Sequence, residues 1–290
     1  MHTSPGEGVY ALDAQDLEGL EDLDALVDPD EDPNPFDHDP GVEPVYTPLW
    51  REFLWPTELA RLLCSPLYRG VGVPRGHGEP VLVIPGFLAN DLMMIPLRHW
   101  LGRIGYRPYH SDITWNTDCP NKTALRLLQK IKVIHRKTGR RVILLGHSLG
   151  GMLAKSILQH APELIDRVIT LGSPFRDHVR AHPAVTGIWE YLLRGQGKLV
   201  GRNLHASCGT GFCMCDFVRH MLQPEARDIP QFAIYSRNDG VVDWTSCAEE
   251  DPGANIEVNE ATHIGLIFHP RALAAIAQRL AEPVAGADPG

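Results

Sequence analysis

The sequence lacks any apolar stretch long enough to span a membrane. None of its runs approaches the ~20 consecutive apolar residues that a transmembrane helix requires. The first residues contain no basic stretch followed by an apolar run, so no secretory signal is recognised. We therefore expect a cytoplasmic protein whose cysteine thiols are reduced.

Motifs for nucleotides and nucleic acids are also missing. The sequence contains no glycine-rich phosphate-binding loop, no dinucleotide-binding fingerprint and no nucleic-acid-binding signature. We therefore expect no cofactor and no nucleic-acid partner. The oligomeric state is left open by these patterns.

Basic residues are missing from the first part of the chain. Residues 1–44 contain 14 Asp or Glu, no Lys or Arg, and clustered prolines. Their formal charge is −14, whereas residues 45–290, with 22 acidic and 27 basic side chains, carry +5. Such a segment cannot bury enough apolar surface to order itself, so we predict a disordered tail. The alternative is a transient helix that docks on a partner or on the basic remainder of the chain.

Six cysteines are present, and three of them, Cys208, Cys213 and Cys215, lie close together, with Cys247 further along. Three interpretations are open: reduced thiols, one or two disulfides, or a four-thiolate zinc site. The spacing Cys-x4-Cys-x-Cys is not that of a common zinc module. We therefore expect no metal, and the state of the cluster stays open, with reduced thiols as the default.

Aromatic and leucine side chains are concentrated in Thr47–Leu67, within the segment formed by residues 45–78. This pattern predicts a helix that is broken at Pro56. We expect the helix to pack against the body of the protein. Peripheral contact with a membrane or lipid surface is the alternative.

One serine stands between a predicted strand and a predicted helix. Arg141–Leu145 is a short apolar run typical of a buried strand, and Met152–His160 has helical periodicity. Between them, Gly146–Gly151 reads Gly-His-Ser-Leu-Gly-Gly, which is the frame of a nucleophile elbow. Such a turn exposes the hydroxyl of Ser148 and directs helical N–H groups toward the atom it attacks. We expect the adjacent His147 to be a packed neighbour.

A serine nucleophile requires a base and an orienting acid, and candidates for both follow predicted strands. Asp239 follows the strand Gln231–Ser236, and His263 follows the strand Asn255–Val258. Functional groups of open parallel sheets collect at the carboxyl ends of strands. We therefore predict Asp239 as the acid and His263 as the base. Asp243 is a competing acid that we expect to be structural.

Two backbone N–H groups are needed to stabilise the charge that develops on a carbonyl oxygen under attack. Leu149, which follows the nucleophile, would supply one of them. Phe87 would supply the other, because Pro85–Phe87 interrupts the apolar strand Pro80–Ile84 and lets the backbone turn into the site.

Taken in order, these motifs resemble those of bacterial α/β-hydrolase-fold lipases and carboxylesterases. The resemblance covers about residues 79–280 and rests on the segments Pro85–Phe87, Gly146–Gly151, Ile169–Pro174, Ser236–Val242 and His263–Leu266. Many of these lipases have a histidine where this chain has Pro85. Because the donor there is a backbone N–H group, the difference should not cost activity.

The resemblance implies a role for each candidate residue. Ser148 would be the nucleophile, Asp239 the acid and His263 the base. The N–H groups of Phe87 and Leu149 would form the oxyanion hole. The expected substrate is a small-molecule or lipid ester. Acyl transfer by the same residues and ligand binding without catalysis are the alternatives.

The alternation of predicted strands and helices predicts an α/β fold, with a mostly parallel central sheet and helices on both faces. With 290 residues and 43% hydrophobic content, the chain can bury a large single core. We assign the core to residues 79–174 and 231–284. Residues 175–230 are predicted to form a helical cap, or lid, over the site.

Overall fold

The computed structural model describes residues 45–176, 180–188, 217, 219–220, 226 and 228–283. The predicted acidic tail, most of the predicted cap and the three clustered cysteines Cys208, Cys213 and Cys215 lie outside these residues.

Six strands, all paired in parallel, form one sheet in the order β2-β1-β3-β4-β5-β6. Their bounds are Pro80–Ile84 for β1, Arg107–Tyr109 for β2, Val142–His147 for β3, Ile165–Leu171 for β4, Gln231–Tyr235 for β5 and Asn255–Glu257 for β6. The predicted parallel sheet is confirmed.

Five α-helices with both ends inside the described residues accompany the sheet. Their bounds are Trp55–Cys64 for α1, Ile95–Arg103 for α2, Pro120–Thr138 for α3, Leu149–His160 for α4 and Pro270–Ala281 for α5. A 3-10 helix, Leu49–Leu54, leads directly into α1, and residues 183–188 are also helical.

Apolar side chains cover both faces of the sheet. On one face Leu82 and Leu144 pack with the buried sides of α3 and α4. On the other face Val81 and Ile143 pack with α2 and α5. Successive residues of a strand point to opposite faces, so β1 and β3 contribute to two cores at once. Helices therefore lie on both faces, as predicted.

The longest helix of the described residues, α3, follows its sequence pattern closely. Its N-terminus contains Pro120, and it ends at Gly139, whose φ of 65° is the left-handed conformation that favours glycine. Its apolar side chains recur every three or four residues and are buried. They are Ala124, Leu127, Leu128, Ile131 and Ile134.

Two local predictions are wrong. Pro56 does not break a helix but lies in the first turn of α1, where its missing N–H group would have had no intrahelical partner. The run Arg107–Ile113 in the sequence also predicts a strand, but the strand β2 ends at Tyr109. The chain turns there, because Asp112 takes a φ of 64°, which is incompatible with an extended strand.

The turn from β3 into α4 depends on two glycines. A Cβ atom on Gly150 would lie 2.2 Å from the carbonyl oxygen of Ile84, and a Cβ atom on Gly146 would lie 2.3 Å from that of Gly150. Both neighbours are backbone atoms, so neither can move away by a change of side-chain rotamer. The backbone of α4 therefore approaches β1 directly, and the turn holds Ser148 at the carboxyl edge of the sheet.

We predict that Gly150→Ala lowers the free energy of unfolding by about 1–3 kcal/mol or more, because the added methyl overlaps the backbone of β1. Urea unfolding measures the change. Gly102→Ala in α2 is the matched control, since its Cβ would meet only Pro108 Cγ at 4.0 Å. Alanine is a better helix former than glycine, so the control should be neutral or stabilised by up to about 1 kcal/mol. Equal stability of the two variants would contradict this account of the turn.

Candidate active site

Ser148 occupies a strained turn at the centre of the sheet edge. Its φ of 52° and ψ of −123° lie in a region that side chains other than glycine rarely adopt. Its backbone N–H group donates to the carbonyl of Leu171, at the end of β4, at 2.8 Å. A Cβ atom on Gly86 would lie 2.9 Å from the Cβ of Ser148. The neighbouring strands therefore hold the strained conformation in place.

Asp239 and His263 form a buried hydrogen-bonded pair. Asp239 follows β5, His263 follows β6, and the distance from His263 Nδ1 to Asp239 Oδ2 is 2.6 Å. Both side chains are almost fully buried. An ionised carboxylate only accepts hydrogen bonds, so the proton of this contact resides on Nδ1 and leaves the lone pair on Nε2.

The second oxygen of Asp239 is held by the backbone of its own loop. Oδ1 accepts hydrogen bonds from Val241 N at 2.7 Å and from Val242 N at 2.8 Å. Asp243, the competing acid, faces elsewhere: its side chain accepts from Thr245 N at 3.0 Å and pairs with Arg180 at 3.3 Å. The structure therefore joins His263 to Asp239, while Asp243 caps a short 3-10 helix.

The serine turn and the buried pair meet at the end of β4. Leu171, which accepts the hydrogen bond from Ser148, is followed by Gly172 with a φ of 55°. A Cβ atom on Gly172 would lie 3.2 Å from His263 Nδ1 and 3.3 Å from Asp239 Oδ2. Glycine at this position leaves room for the pair to lie next to the serine turn.

The charge state of His263 is set by opposing effects. Burial acts to lower the pKa of His263, but the carboxylate of Asp239 more than offsets this, with a smaller contribution from Glu52, and the pKa is raised above the ordinary histidine value. The protonated ring is thus stabilised next to Asp239. This is the electrostatic arrangement that a histidine needs if it is to accept a proton during a reaction.

His147 is a second buried histidine beside His263, with its ring centroid 4.8 Å from that of His263. Its Nε2 contacts the carbonyl oxygen of His263 at 2.9 Å, and because a carbonyl only accepts, Nε2 carries the proton. Burial, together with the neighbouring His263 ring, lowers the pKa of His147 to about 3. His147 is therefore a neutral packed neighbour that supports the backbone of His263.

The loop after β1, which contains Phe87, is held by an asparagine that the sequence patterns did not single out. The side-chain amide of Asn116 donates to the carbonyl of Pro85 at 2.8 Å. Its backbone carbonyl accepts from Leu88 N at 3.3 Å, and its backbone N–H group donates to Ala89 O at 3.0 Å. These bonds support Leu88 at a φ of 58° and so define the backbone direction on either side of Phe87.

Leu149 is the first residue of α4. The first hydrogen bond to the carbonyl of Ser148 comes from Gly151 N at 3.0 Å, so the N–H group of Leu149 lies in the first turn of the helix. Amides of a first helical turn have no intrahelical acceptor and point out from the helix end. Leu149 adjoins Ser148 in the chain, and Phe87 follows Gly86, on which a Cβ atom would lie 2.9 Å from the Cβ of Ser148.

The segment before the sheet contributes two buried carboxylates that the sequence patterns did not indicate. Glu52 accepts hydrogen bonds from the N–H groups of Gly240, His263 and Ile264, each at 2.9 Å. Glu58, in α1, accepts from the N–H group and the hydroxyl of Thr262 at 2.9 and 2.7 Å. Acidic residues in an amphipathic helix are normally solvated, so no sequence signal distinguished this pair.

Metal-binding clusters and membrane-spanning helices are both absent from the described residues. These residues contain no group of three or more His, Cys, Asp or Glu side chains suited to a metal ion. No helix among them is both long and apolar enough to cross a lipid bilayer. Cys247 is buried, and burial raises the pKa of its thiol well above the ordinary value.

Comparison with known proteins finds similarity to lipases and to α/β-hydrolase structures. The family model of the PGAP1-like alpha/beta domain matches residues 122–192. Triacylglycerol lipases of Pseudarthrobacter phenanthrenivorans and Burkholderia plantarii are each 29% identical over 106 residues, which is 33% of this chain. The crystal structure of mature Bacillus licheniformis lipase BlEst2 superposes with a TM-score of 0.52 at 19% identity, covering 72% of this chain and 94% of that one.

The protein has the α/β-hydrolase fold and resembles lipases and esterases. The aligned region spans 33% and 30% of the lengths of the two lipase relatives, so the likeness to them is confined to about a third of each protein. In this α/β-hydrolase-fold protein, the aspartate–histidine pair and the strained serine lie at the carboxyl edge of the parallel sheet.

We predict that His147→Gln makes the protein less sensitive to acid. Below the ordinary histidine pKa of 6.5, the unfolded chain binds a proton that native His147, with a pKa of about 3, does not bind. Native stability is therefore lost as pH falls from about 6.5 toward 3. From pH 7 to pH 5 this loss amounts to about 2 kcal/mol, and the variant should escape it.

Urea unfolding at pH 7 and pH 5 measures this difference in the wild type and the variant. His99→Gln is the control, because His99 is an exposed histidine on α2. An acid-induced loss in His147→Gln as large as in the wild type would show that His147 is not the group responsible.

Proposed function

We propose that the protein is a serine hydrolase that cleaves carboxylic esters. Ser148 is the nucleophile, His263 the general base and Asp239 the acid that orients it. The N–H groups of Phe87 and Leu149 stabilise the oxyanion. The observation that carries the proposal is the buried 2.6 Å contact between His263 Nδ1 and Asp239 Oδ2 beside a serine held at a strained φ of 52°.

The chemistry follows from this arrangement. His263 Nε2 accepts the hydroxyl proton of Ser148, and the serine oxygen attacks the ester carbonyl. The resulting oxyanion is stabilised by the two N–H groups until the alkoxide leaves with the proton from His263. Water, activated by the same histidine, then attacks the acyl-enzyme and releases the acid. Throughout, Asp239 stabilises the protonated ring and maintains its tautomer.

The substrate class follows from the surroundings and the relatives. Leu92 and Trp115 expose large apolar side chains on the loops that flank Phe87. Both lipase relatives are named for cleavage of triacylglycerol. We therefore propose an ester with an apolar acyl or alcohol part. Acyl transfer to an alcohol would use the same residues, and product analysis with an added alcohol separates it from hydrolysis.

Ligand binding without catalysis is the other class of function. A binding site alone does not require a backbone-strained serine, whose conformation costs about 1–3 kcal/mol. It also does not require a buried histidine whose pKa is raised by a carboxylate. These two observations favour catalysis.

We predict that Ser148→Ala lowers kcat by at least about 1,000-fold, because the nucleophile is lost. Nitrophenyl esters of increasing chain length measure kcat, and a fluorophosphonate probe measures labelling of the serine. Ser156→Ala is the matched control: Ser156 lies in the same helix, is buried, and its hydroxyl has no hydrogen-bond partner among the described residues. The control should keep both activity and labelling. Labelling that persists in Ser148→Ala would refute the assignment.

We predict that Asp239→Asn lowers kcat/KM by up to about 10,000-fold, because an amide favours the wrong tautomer of His263. Asp243→Asn keeps the helix cap, because Asn caps a helix as well as Asp does, and it removes only the ion pair with Arg180, so it should cost at most about 1 kcal/mol of stability. Its kcat/KM should stay close to that of the wild type. Kinetics on one short ester, with thermal melting of both variants, measure the two effects. The reverse ranking would assign the role of acid to Asp243.

A further inference from the structure

The carboxylate of Glu52 lies where the loop of the acid and the loop of the base meet. Its Oε1 accepts hydrogen bonds from Gly240 N, next to Asp239, and from His263 N, both at 2.9 Å. Its Oε2 accepts from Ile264 N at 2.9 Å. One oxygen atom therefore connects the residue after the acid with the base itself. The backbone positions of the two catalytic loops are thereby coupled.

The fit between Glu52 and the acid loop is close. A Cβ atom on Gly240 would lie 2.7 Å from Glu52 Oε1 and 2.9 Å from the carbonyl oxygen of Pro48. The hydroxyl of Thr47 donates to the carbonyl of Gly240 at 2.6 Å. Both backbone groups of Gly240 are thus bonded to the same N-terminal segment. The Asp-Gly turn that carries the acid is therefore positioned from outside the sheet.

Glu52 is a buried charge without a cationic partner. The residue is 8% exposed, and no Lys or Arg in the described part of the chain forms an ion pair with it. Burying an unpaired carboxylate is costly, and here only three N–H donors offset that cost. An apolar side chain at this position would pack the 3-10 helix against the sheet at a lower free-energy cost. The retained charge therefore indicates a role beyond packing.

The negative charge acts on His263 across a short distance. The titratable groups that act on His263 or its neighbours come from several elements. Asp239 after β5, His147 at the end of β3 and Glu52 in the 3-10 helix contact His263 itself. Glu58 in α1 bonds the preceding Thr262, and Cys247 lies near Asp239. Of these, Asp239 and Glu52 raise the pKa of His263. Two carboxylates thus bond His263, one at its ring and one at its backbone N–H group.

We propose that Glu52 is a positioning residue of the active site, which ties the base His263 to the acid loop and stabilises the protonated imidazole with its charge. The inference rests on the proposed function, because it assigns Glu52 to the same reaction. It makes the segment of residues 45–78 part of the catalytic apparatus.

The first experiment is Glu52→Gln, which keeps the size of the side chain and removes its charge. The pKa of His263 is read by NMR titration of the histidine ring, with the signal assigned from His263→Ala. The acid limb of the kcat/KM profile is measured on a short ester. We expect the His263 pKa and the acid limb of the profile to move to lower pH, because the negative charge is lost. We expect kcat to fall by about 10-fold or more, because the amide presents N–H donors to Ile264 N. Thermal melting verifies folding.

Glu58→Gln is the matched control. Glu58 is also buried in the same segment and bonds Thr262, the residue before the base, but it is not among the groups that raise the pKa of His263. We expect Glu58→Gln to lower stability and leave the His263 titration in place. An unmoved titration in Glu52→Gln, or an equal shift in Glu58→Gln, would overturn the proposal.

Glu52→Asp separates the tether from the charge. Aspartate keeps the charge but is too short to contact both loops, so the titration should stay near that of the wild type while kcat falls. If the kcat of Glu52→Asp stayed within about twofold of the wild-type value, Glu52 would not be needed to connect the two loops. If Glu52→Gln does not fold, Glu52→Asp alone tests the proposal by the same two measurements. The NMR titration does not need activity, so it tests the electrostatic role of Glu52 separately from the proposed function. If the His263 pKa shifts in Glu52→Gln while Ser148→Ala keeps full activity, the proposed function is overturned and the electrostatic role of Glu52 is not.

Discussion

The close backbone contact between α4 and β1 is the constraint on which the rest of the site depends. The helix can begin immediately after β3 only because Gly150 places no side chain against the carbonyl of Ile84. That contact forces Ser148 into its strained conformation, and the hydrogen bond to Leu171 holds it there. Strain of this kind persists only where surrounding structure over-determines it. Here two strands and one helix do so.

The parallel sheet gathers the remaining groups around this serine. Because all six strands run in one direction, the residues after β1, β3, β5 and β6 emerge at a common edge. Loops at an edge are free to adopt many shapes, and side-chain hydrogen bonds restrict them here. Asn116 holds the loop after β1, and His147 bonds the carbonyl of His263. The sheet brings the candidate catalytic groups close together, and these hydrogen bonds orient their loops.

Charge is distributed unevenly around the site. His147 is kept neutral by burial, whereas His263 is held at a raised pKa by a carboxylate on its ring and a second carboxylate on its backbone. Two histidines 4.8 Å apart therefore have opposite electrostatic preferences. Only one of them is suited to gain and lose a proton. Environment, and not residue type, makes this distinction.

The amino-acid sequence by itself determined the α/β fold, because the strand and helix periods and the glycine frame around Ser148 are local signals. It also placed Asp239 and His263 after strands of one parallel sheet. Only the tertiary structure decided that Asp239 contacts His263 while Asp243 caps a turn. The tertiary structure also brought Glu52 into the site, across more than 180 residues of sequence from its partners. A buried carboxylate that accepts distant backbone N–H groups leaves no periodic or spacing signal, so its role emerges only from packing.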